Sequence, residues 1–137
     1  MSSVSFTIPG RIGGKGRARS TASGHHYTPA KTRSDEGIVR HFALMASRET
    51  PLLKGPLKLT IEIWIEKPKS WSAKRKAAAV WVTGKPDWDN SGKLICDAMN
   101  HLVYADDSQI AWPEMKRRYC DAVHPAEEVR VTVEELE

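Results

Sequence analysis

Long apolar runs, a signal peptide and paired cysteines are all missing from this 137-residue chain. No apolar stretch approaches the roughly 20 residues that a membrane-spanning helix needs, and the first residues lack the basic stretch and apolar core of a secretory signal. The two cysteines, Cys96 and Cys120, have no paired spacing, so reduced thiols are expected. These absences predict a cytoplasmic protein that makes no membrane contact.

Two common classes of site also find no support in the sequence. The five histidines show no zinc-ligand spacing. The segment from Gly10 to Gly16 imitates a phosphate-binding P-loop, but its glycines are too close together and Gly16 stands where that motif has Ser or Thr. The sequence therefore predicts neither a zinc site nor a P-loop nucleotide site.

Acidic residues are absent from two long stretches, 1–33 and 67–85. The cations of these stretches are Arg11, Lys15, Arg17, Arg19, Lys31, Arg33, Lys67, Lys69, Lys74, Arg75, Lys76 and Lys85. A basic surface of this kind is the usual electrostatic footprint of a nucleic-acid binder. A solvated charged face would have the same composition, so charge alone leaves both interpretations open.

Apolar residues that alternate with polar ones predict the strands. Short strands are expected at 4–8 and 129–133, and the strictest alternation, at 57–65, predicts the longest of these three. A further strand is expected over 109–120, interrupted near Pro113 and forming a hairpin with the last one. The Gly10–Arg19 segment between the first strand and the first helix is expected to be a basic loop.

Helical periodicity predicts two to three helices. The first should cover 33–49, capped by Thr32, with Ile38, Phe42 and Met45 facing inward. The second should cover 72–81, and the third should begin at Asp89 and bury the stripe Leu94, Ile95, Ala98, Met99 and Leu102. The resulting order β-α-β-α-α-β-β predicts one α/β (α+β) domain over 1–137, with a mixed sheet of about four strands.

A short acidic segment interrupts the basic background. Asp87 and Asp89 stand two apart just before a predicted helix, so both carboxylates can face one spot. Lys93 follows Asp89 by one helical turn, and Asp106 and Asp107 lie beyond the far end of the same helix. Carboxylates that converge in a fold repel one another unless a cation lies between them. Because Mg²⁺ takes oxygen ligands, the segment is a candidate magnesium site.

Each of these residues also has a simpler interpretation. An Asp-x-Asp pair before a helix often only caps it, and Asp106-Asp107 is typical of a turn. Lys93 and Asp97 are spaced as a helical surface pair. Composition and spacing do not decide between these interpretations.

The stretch Lys85-Pro-Asp-Trp-Asp-Asn-Ser-Gly-Lys, continued by Tyr104-Ala-Asp-Asp-Ser-Gln-Ile110, resembles the signature of the RusA family of Holliday-junction resolvases, especially its phage-type members. Ile8-Pro-Gly, Gly14-Lys-Gly-Arg-Ala-Arg and Pro68-Lys-Ser-Trp-Ser are similar to other parts of the family pattern. Members of this family cut four-way DNA junctions as Mg²⁺-dependent homodimers, with two symmetric nicks. The resemblance therefore implies an endonuclease of DNA recombination and repair in the cytoplasm of a bacterium or a phage-infected host.

The resemblance also implies roles for individual residues. Asp87, Asp89 and Asp107 take the places of the metal-binding catalytic aspartates, Lys93 that of the essential lysine, and Asp106 a supporting position. The implied cofactor is Mg²⁺, with Mn²⁺ as an alternative. The cations expected to bind DNA are Lys15, Arg17, Arg19, Lys74, Arg75, Lys76 and Lys85. The pair Ser91-Gly92 departs from the family pattern, in which apolar or longer residues are commoner.

Two other functions compete with this one. A protein that binds branched DNA without cutting it would share the basic surface, although it would gain nothing from carboxylates that face phosphates. A Mg²⁺-dependent transferase could use Asp-x-Asp to hold a nucleotide diphosphate, but the chain shows no nucleotide-binding fold signal. Incubating a four-way junction with and without Mg²⁺ tests the endonuclease hypothesis, because neither alternative would make paired, metal-dependent nicks.

Overall fold

The strands and helices lie close to the positions that the alternating and helical patterns of the sequence predict. In a computed structural model, residues 2–16, 19–20, 22–24, 26–27 and 30–137 are described, with backbone alone for 19, 20, 26 and 27. The strands are β1 (Ser3–Pro9), β2 (Arg19–Ser20), β3 (His26–Tyr27), β4 (Leu57–Ile65), β5 (Ile110–Tyr119) and β6 (Glu128–Glu135). The α-helices are α1 (Ala30–Ser47), α2 (Ala73–Ala78) and α3 (Trp88–Met99), and Asp107–Gln109 forms a 3-10 helix.

Four strands form one mixed sheet in the order β1-β6-β4-β5. Strand β6 pairs antiparallel with β1 and β4, whereas β5 runs parallel to β4. The predicted mixed sheet and the order of elements are confirmed, and the small β2–β3 pair is added before α1. The predicted terminal hairpin is wrong, because β4 lies between β5 and β6. Neighbouring strands in sequence need not pair, and the pattern within a strand does not name its partner.

The helices cover one face of this sheet. The inward residues of the strands, such as Ile8, Ile61 and Val131, alternate with exposed or half-buried ones. Helix α3 contributes the buried stripe Leu94, Ile95, Ala98 and Met99, as predicted, with Leu102 packed at its margin. The opposite face of the sheet carries mainly polar residues and is open, which is common in sheets with antiparallel edges.

Helix α1 buries a different face from the predicted one. Its buried residues are Thr32, Asp35, Val39, Ala43 and Ser47, while Ile38 and Met45 stay 40% and 53% exposed. The helix begins at Ala30, so Thr32 is not its cap.

Two polar residues on this buried face hold the glycine-rich loop. The N–H of Gly13 donates to Asp35 Oδ2 at 3.0 Å, and the N–H of Gly16 donates to Thr32 Oγ1 at 3.0 Å. A hydrophobicity pattern does not anticipate polar side chains that are buried because they hold backbone N–H groups.

The outer edge of β5 is partly covered by the segment that follows α2. The N–H of Val82 donates to the carbonyl of Arg117 at 3.0 Å, and the N–H of Tyr119 donates to the carbonyl of Val80 at 2.9 Å. Helix α2 therefore ends at Ala78 rather than at residue 81, and of the two candidate caps, Ser70 and Ser72, it is Ser72 that caps it. Strand β5 runs unbroken through Pro113, which an edge strand tolerates because its missing N–H can face away from the ladder. Among the described residues, no helix is long and apolar enough to cross a membrane.

Candidate active site

The acidic segment forms the N-terminus of α3. The helix begins at Trp88, so Asp87, and not the predicted Asp89, occupies the N-cap position, and Asp89 lies in the first turn. Both carboxylates are exposed, and a helix N-terminus stabilises negative charge placed there. Asp87 makes no side-chain capping bond; its Oδ1 accepts from Lys85 Nζ at 2.9 Å.

Lys93 extends from the second turn of α3 toward two carboxylates. Its Nζ donates to Asp97 Oδ1 at 2.9 Å and lies 3.8 Å from Asp107 Oδ2. The hydrogen bond to Asp97 is the main reason why the pKa of Lys93 is raised above its ordinary value, and the charge of Asp107 adds to it. Lys93 therefore remains a cation across the physiological pH range.

The turn after α3 brings Asp107 back to the helix. The N–H of Asp107 donates to Asn100 Oδ1 at 3.0 Å, which ties the 3-10 helix to the end of α3. Tyr104 is fully buried beside this turn, and its hydroxyl donates to the carbonyl of Cys96 at 2.8 Å. Two hydrogen bonds and the burial of Tyr104 thus hold the returning chain at the position where Asp107 meets Lys93.

Asp106 has a local structural task. Its carboxylate accepts from the N–H of Ser108 at 3.2 Å and caps the 3-10 helix, while the Gln109 side chain accepts from the N–H of Asp106 at 3.1 Å. Hydrogen bonds with the side chain and then the backbone of Ser108 hold the pKa of this carboxyl below its ordinary value. Asp106 thereby orients the 3-10 helix that carries Asp107.

A groove of about 780 Å³ lies between α3 and β5. Asp89, Lys93 and Asp107 line it, together with apolar residues that come mainly from β4 and β5. Those apolar residues include Leu59, Ile61, Ile110, Pro113 and Met115. Asp87 and Asp106 are not among the lining residues, so the structure brings together three of the five residues that the sequence singled out.

The fit of a divalent metal can be judged from these donors. No group of three or more His, Cys, Asp or Glu side chains in the described part of the chain is arranged to hold a metal ion. Asp89 and Asp107 nevertheless line one groove, and Mg²⁺ is usually bound by one or two carboxylates, water and substrate phosphates rather than by an all-protein cage. The residues present fit an ion whose coordination is completed by a phosphate.

The predicted DNA-binding cations lie in several environments. Lys74 and Arg75 are exposed on α2, where the Arg75 guanidinium lies 4.0 Å from the Trp71 ring centroid, and Lys76 is half-buried. Lys85 is exposed and pairs with Asp87. Arg17 lies outside the described residues, and Arg19 is described by its backbone alone. Lys15 is turned inward, toward Glu36 and Asp97.

Asp97 and Glu36 are two charged residues beside this site to which the sequence assigned no functional role. Asp97 accepts a hydrogen bond from Lys93 and lies 3.1 Å from Lys15. Glu36, a residue of α1, pairs with the same lysine. The four-residue spacing of Lys93 and Asp97 was the one available signal, and it is common on helix surfaces. Nothing local in the sequence links either residue to Lys15.

Comparison with known proteins shows to which family the chain belongs. The family model described as "Endodeoxyribonuclease RusA" matches residues 9–134. The "Uncharacterized protein YqaN" of Bacillus subtilis (strain 168) is 32% identical over 144 residues, which cover 97% of this chain and 95% of that protein. The "Crossover junction endodeoxyribonuclease rusA" of Lactococcus phage r1t is 40% identical over 65 residues, covering 45% of this chain and 44% of the phage protein. Because the family match spans nearly the whole chain, including both aspartate motifs, the protein belongs to the RusA family of endodeoxyribonucleases.

Proposed function

We propose that this protein is a crossover junction endodeoxyribonuclease that resolves four-way DNA junctions. The whole chain would act as one endonuclease domain, and two copies would nick two strands symmetrically. Membership of the RusA family and the name of the phage relative support the substrate. The basic stretches support a polyanionic partner.

The observation that carries the proposal is that Asp89, Lys93 and Asp107 line one groove. They come from two different helices, so neither a cap nor a turn accounts for their meeting. A cation 3.8 Å from Asp107 in an open groove is placed to meet a phosphate that approaches those carboxylates. Lys93 would then stabilise the charge that develops on the phosphate oxygens during hydrolysis.

A divalent cation, Mg²⁺ or alternatively Mn²⁺, would withdraw charge from the scissile phosphate and activate water when bound. Asp89 and Asp107 would hold it, with Asp87 as a third ligand and Asp106 in support through the 3-10 helix. The side chains of Asp87 and its partner Lys85 are 53% and 85% exposed, so the Asp87 carboxylate can leave that pair at little cost.

The cations of the basic stretches would hold the DNA around the cut. Lys74, Arg75 and Lys76 lie on α2 and Lys85 lies just before α3, and Arg17 and Arg19 would add charge from the basic loop. Contacts of this type position the DNA without reading its sequence. They also make affinity fall steeply with salt, because bound phosphates release counterions.

The proposal is tested by incubating the protein with a synthetic four-way junction, with and without Mg²⁺ or Mn²⁺. We expect paired, symmetric, metal-dependent nicks and no cutting of the matching linear duplex. Asp89→Asn should bind the junction without cutting it. Glu134→Gln, which removes an exposed carboxylate from the open face of the sheet, is the matched control and should cut like wild type.

Two outcomes would contradict the proposal. Binding without nicks in either metal would favour the alternative of a branched-DNA-binding protein. Retained cutting by Asp89→Asn would remove this residue from the site. Light scattering after size-exclusion chromatography tests the homodimer separately, and a monomer at micromolar concentration would contradict symmetric cutting by two copies.

A further inference from the structure

Lys15 lies in a loop whose backbone is anchored on both sides. The N–H of Gly13 and that of Gly16 donate to side chains of α1, and the N–H of Lys15 itself donates to the carbonyl of Asn90 in α3 at 2.9 Å. The loop therefore bridges the two helices. This anchoring directs the Lys15 side chain inward, where 29% of it remains exposed.

The Lys15 ammonium has two acidic partners, one on each helix. It donates to Glu36 Oε1 of α1 and lies 3.1 Å from Asp97 Oδ2 of α3. Burial by itself disfavours the cation, but the hydrogen bonds to Glu36 and Asp97 outweigh it and raise the pKa of Lys15. A DNA phosphate could recruit this lysine only by drawing it away from both carboxylates.

Each oxygen of Asp97 faces a different lysine. Oδ1 accepts from Lys93 at 2.9 Å, and Oδ2 faces Lys15. Burial alone would raise the pKa of Asp97, yet the hydrogen bonds from Lys93 and Lys15 hold it below its ordinary value. With Glu36 included, the cluster contains two cations and two anions.

We infer that Asp97 is a positioning residue for Lys93 and that Lys15 and Glu36 hold Asp97 in place for this task. A helical i,i+4 pair is worth only a few tenths of a kcal/mol, which is too little to hold a flexible lysine that is 59% exposed. A second cation on the other oxygen fixes the carboxylate, and the fixed carboxylate directs the Lys93 ammonium toward Asp107. The loop 13–16 thus serves the cleavage site from inside the protein, and Lys15 does not contact DNA. The catalytic meaning of this inference rests on the proposed function.

The test compares Lys15→Met, Asp97→Asn, their double variant and Asp97→Glu with wild type. Binding of a fluorescein-labelled four-way junction is measured by anisotropy in Ca²⁺ at several salt concentrations, and cleavage in Mg²⁺ is measured on the prebound junction. Lys74→Met is the control for a cation that contacts phosphate, and Lys54→Met is the control for an exposed lysine remote from the groove. Urea unfolding of every variant gives the folded fraction under assay conditions.

We expect Lys15→Met to leave the dissociation constant at its wild-type value, and likewise its salt slope, the slope of the logarithm of affinity against the logarithm of salt concentration. Cleavage of the bound junction should fall by about tenfold. Asp97→Asn should lose at least as much, and Asp97→Glu should recover part of the rate because it restores the charge. The double variant should lose no more than Asp97→Asn alone, because both changes act through Lys93. Lys74→Met should instead reduce the salt slope by about one.

A drop of about one in the salt slope for Lys15→Met would show a phosphate contact and overturn the inference. Cleavage losses that multiply in the double variant would overturn it as well, because they would mean separate actions. If the wild type cuts no junction, the proposed function fails, but the unfolding free energies of the same variants still decide the Lys15–Asp97 contact. If the changes in unfolding free energy of Lys15→Met and Asp97→Asn simply add in the double variant, the two residues are not coupled, and this would overturn the inference independently of cleavage.

Discussion

Gly14 lies against Pro86 with no room for a side chain between them. A β-carbon on Gly14 would be 2.7 Å from the Cβ of Pro86 and 3.0 Å from the Cβ of Asn90. The basic loop thus packs directly on the segment that carries Asp87 and Asp89. This close approach explains a glycine at position 14 by packing and without any bound phosphate.

Gly14→Ala is expected to destabilise the protein by about 1–3 kcal/mol, the usual cost of overpacking. It should also reduce junction cleavage, because the loop and the start of α3 must move apart. Urea unfolding measures the first effect and the junction assay the second. Gly37→Ala is the matched control, since nothing lies within 4 Å of its added carbon inside α1. That variant should gain about 0.5–1 kcal/mol, and equal stability of the two variants would contradict the packing argument.

Lys93→Met is expected to reduce cleavage of a bound junction by about 100- to 1,000-fold, the usual cost of losing one stabilising donor. Junction affinity should change little, because many other cations contribute to binding. Lys93→Arg should retain part of the activity because it keeps the charge beside Asp107, and Lys54→Met should cut normally. The rates are measured on the prebound junction at saturating protein. A Lys93→Met variant that binds poorly but cuts at the normal rate once bound would assign this lysine to binding instead.

Glu127 links the ends of three strands, and this link should make stability depend on pH. Its Oε2 accepts from the Arg11 side chain at 2.5 Å and from the N–H of Glu66 at 2.9 Å. Burial alone would raise its pKa, but the hydrogen bonds from Glu66 and Arg11 outweigh it and lower the pKa below the ordinary 4.5. A carboxyl whose pKa is lowered by folding stabilises the protein above its unfolded pKa and loses this effect as pH falls through the folded pKa.

Glu127→Gln should therefore be less stable than wild type at neutral pH, and the difference should shrink as pH falls below 4.5. Urea unfolding over this pH range measures it, with Glu134→Gln, which changes an exposed carboxylate of β6, as the control. A stability difference that stays constant down to acidic pH would show that the charge of Glu127 is not its cause.

The thiol of Cys96 should be unreactive at neutral pH. Burial raises the pKa of Cys96 to about 11, so hardly any reactive thiolate is present although the residue lines the groove. In a Cys120→Ser background, iodoacetamide should label Cys96 slowly in the folded protein and rapidly in urea. Labelling should accelerate only as pH rises toward 11. Equal labelling rates in folded and unfolded protein at neutral pH would contradict the raised pKa.

Much of the local structure could be predicted from the residues. The alternation at 57–65 predicted β4, and the spacing of Leu94, Ile95, Ala98 and Met99 predicted the buried face of α3. The buried face of α1 could not be predicted in the same way. Its buried Thr32 and Asp35 are polar residues whose partners lie in a distant loop, so their burial depends on contacts that periodicity does not contain.

The sequence by itself determined the types of element, the acidic segment with its resemblance to one nuclease family, and the basic stretches, because these depend on neighbouring residues. Only the tertiary structure decided the place of β4 between β5 and β6 and the return of Asp107 to Lys93. It also turned Lys15 away from the surface and onto Asp97, which spacing along the chain could not indicate. Strand pairing and the balance of buried charges depend on residues far apart in sequence, so they are settled only when the whole chain packs.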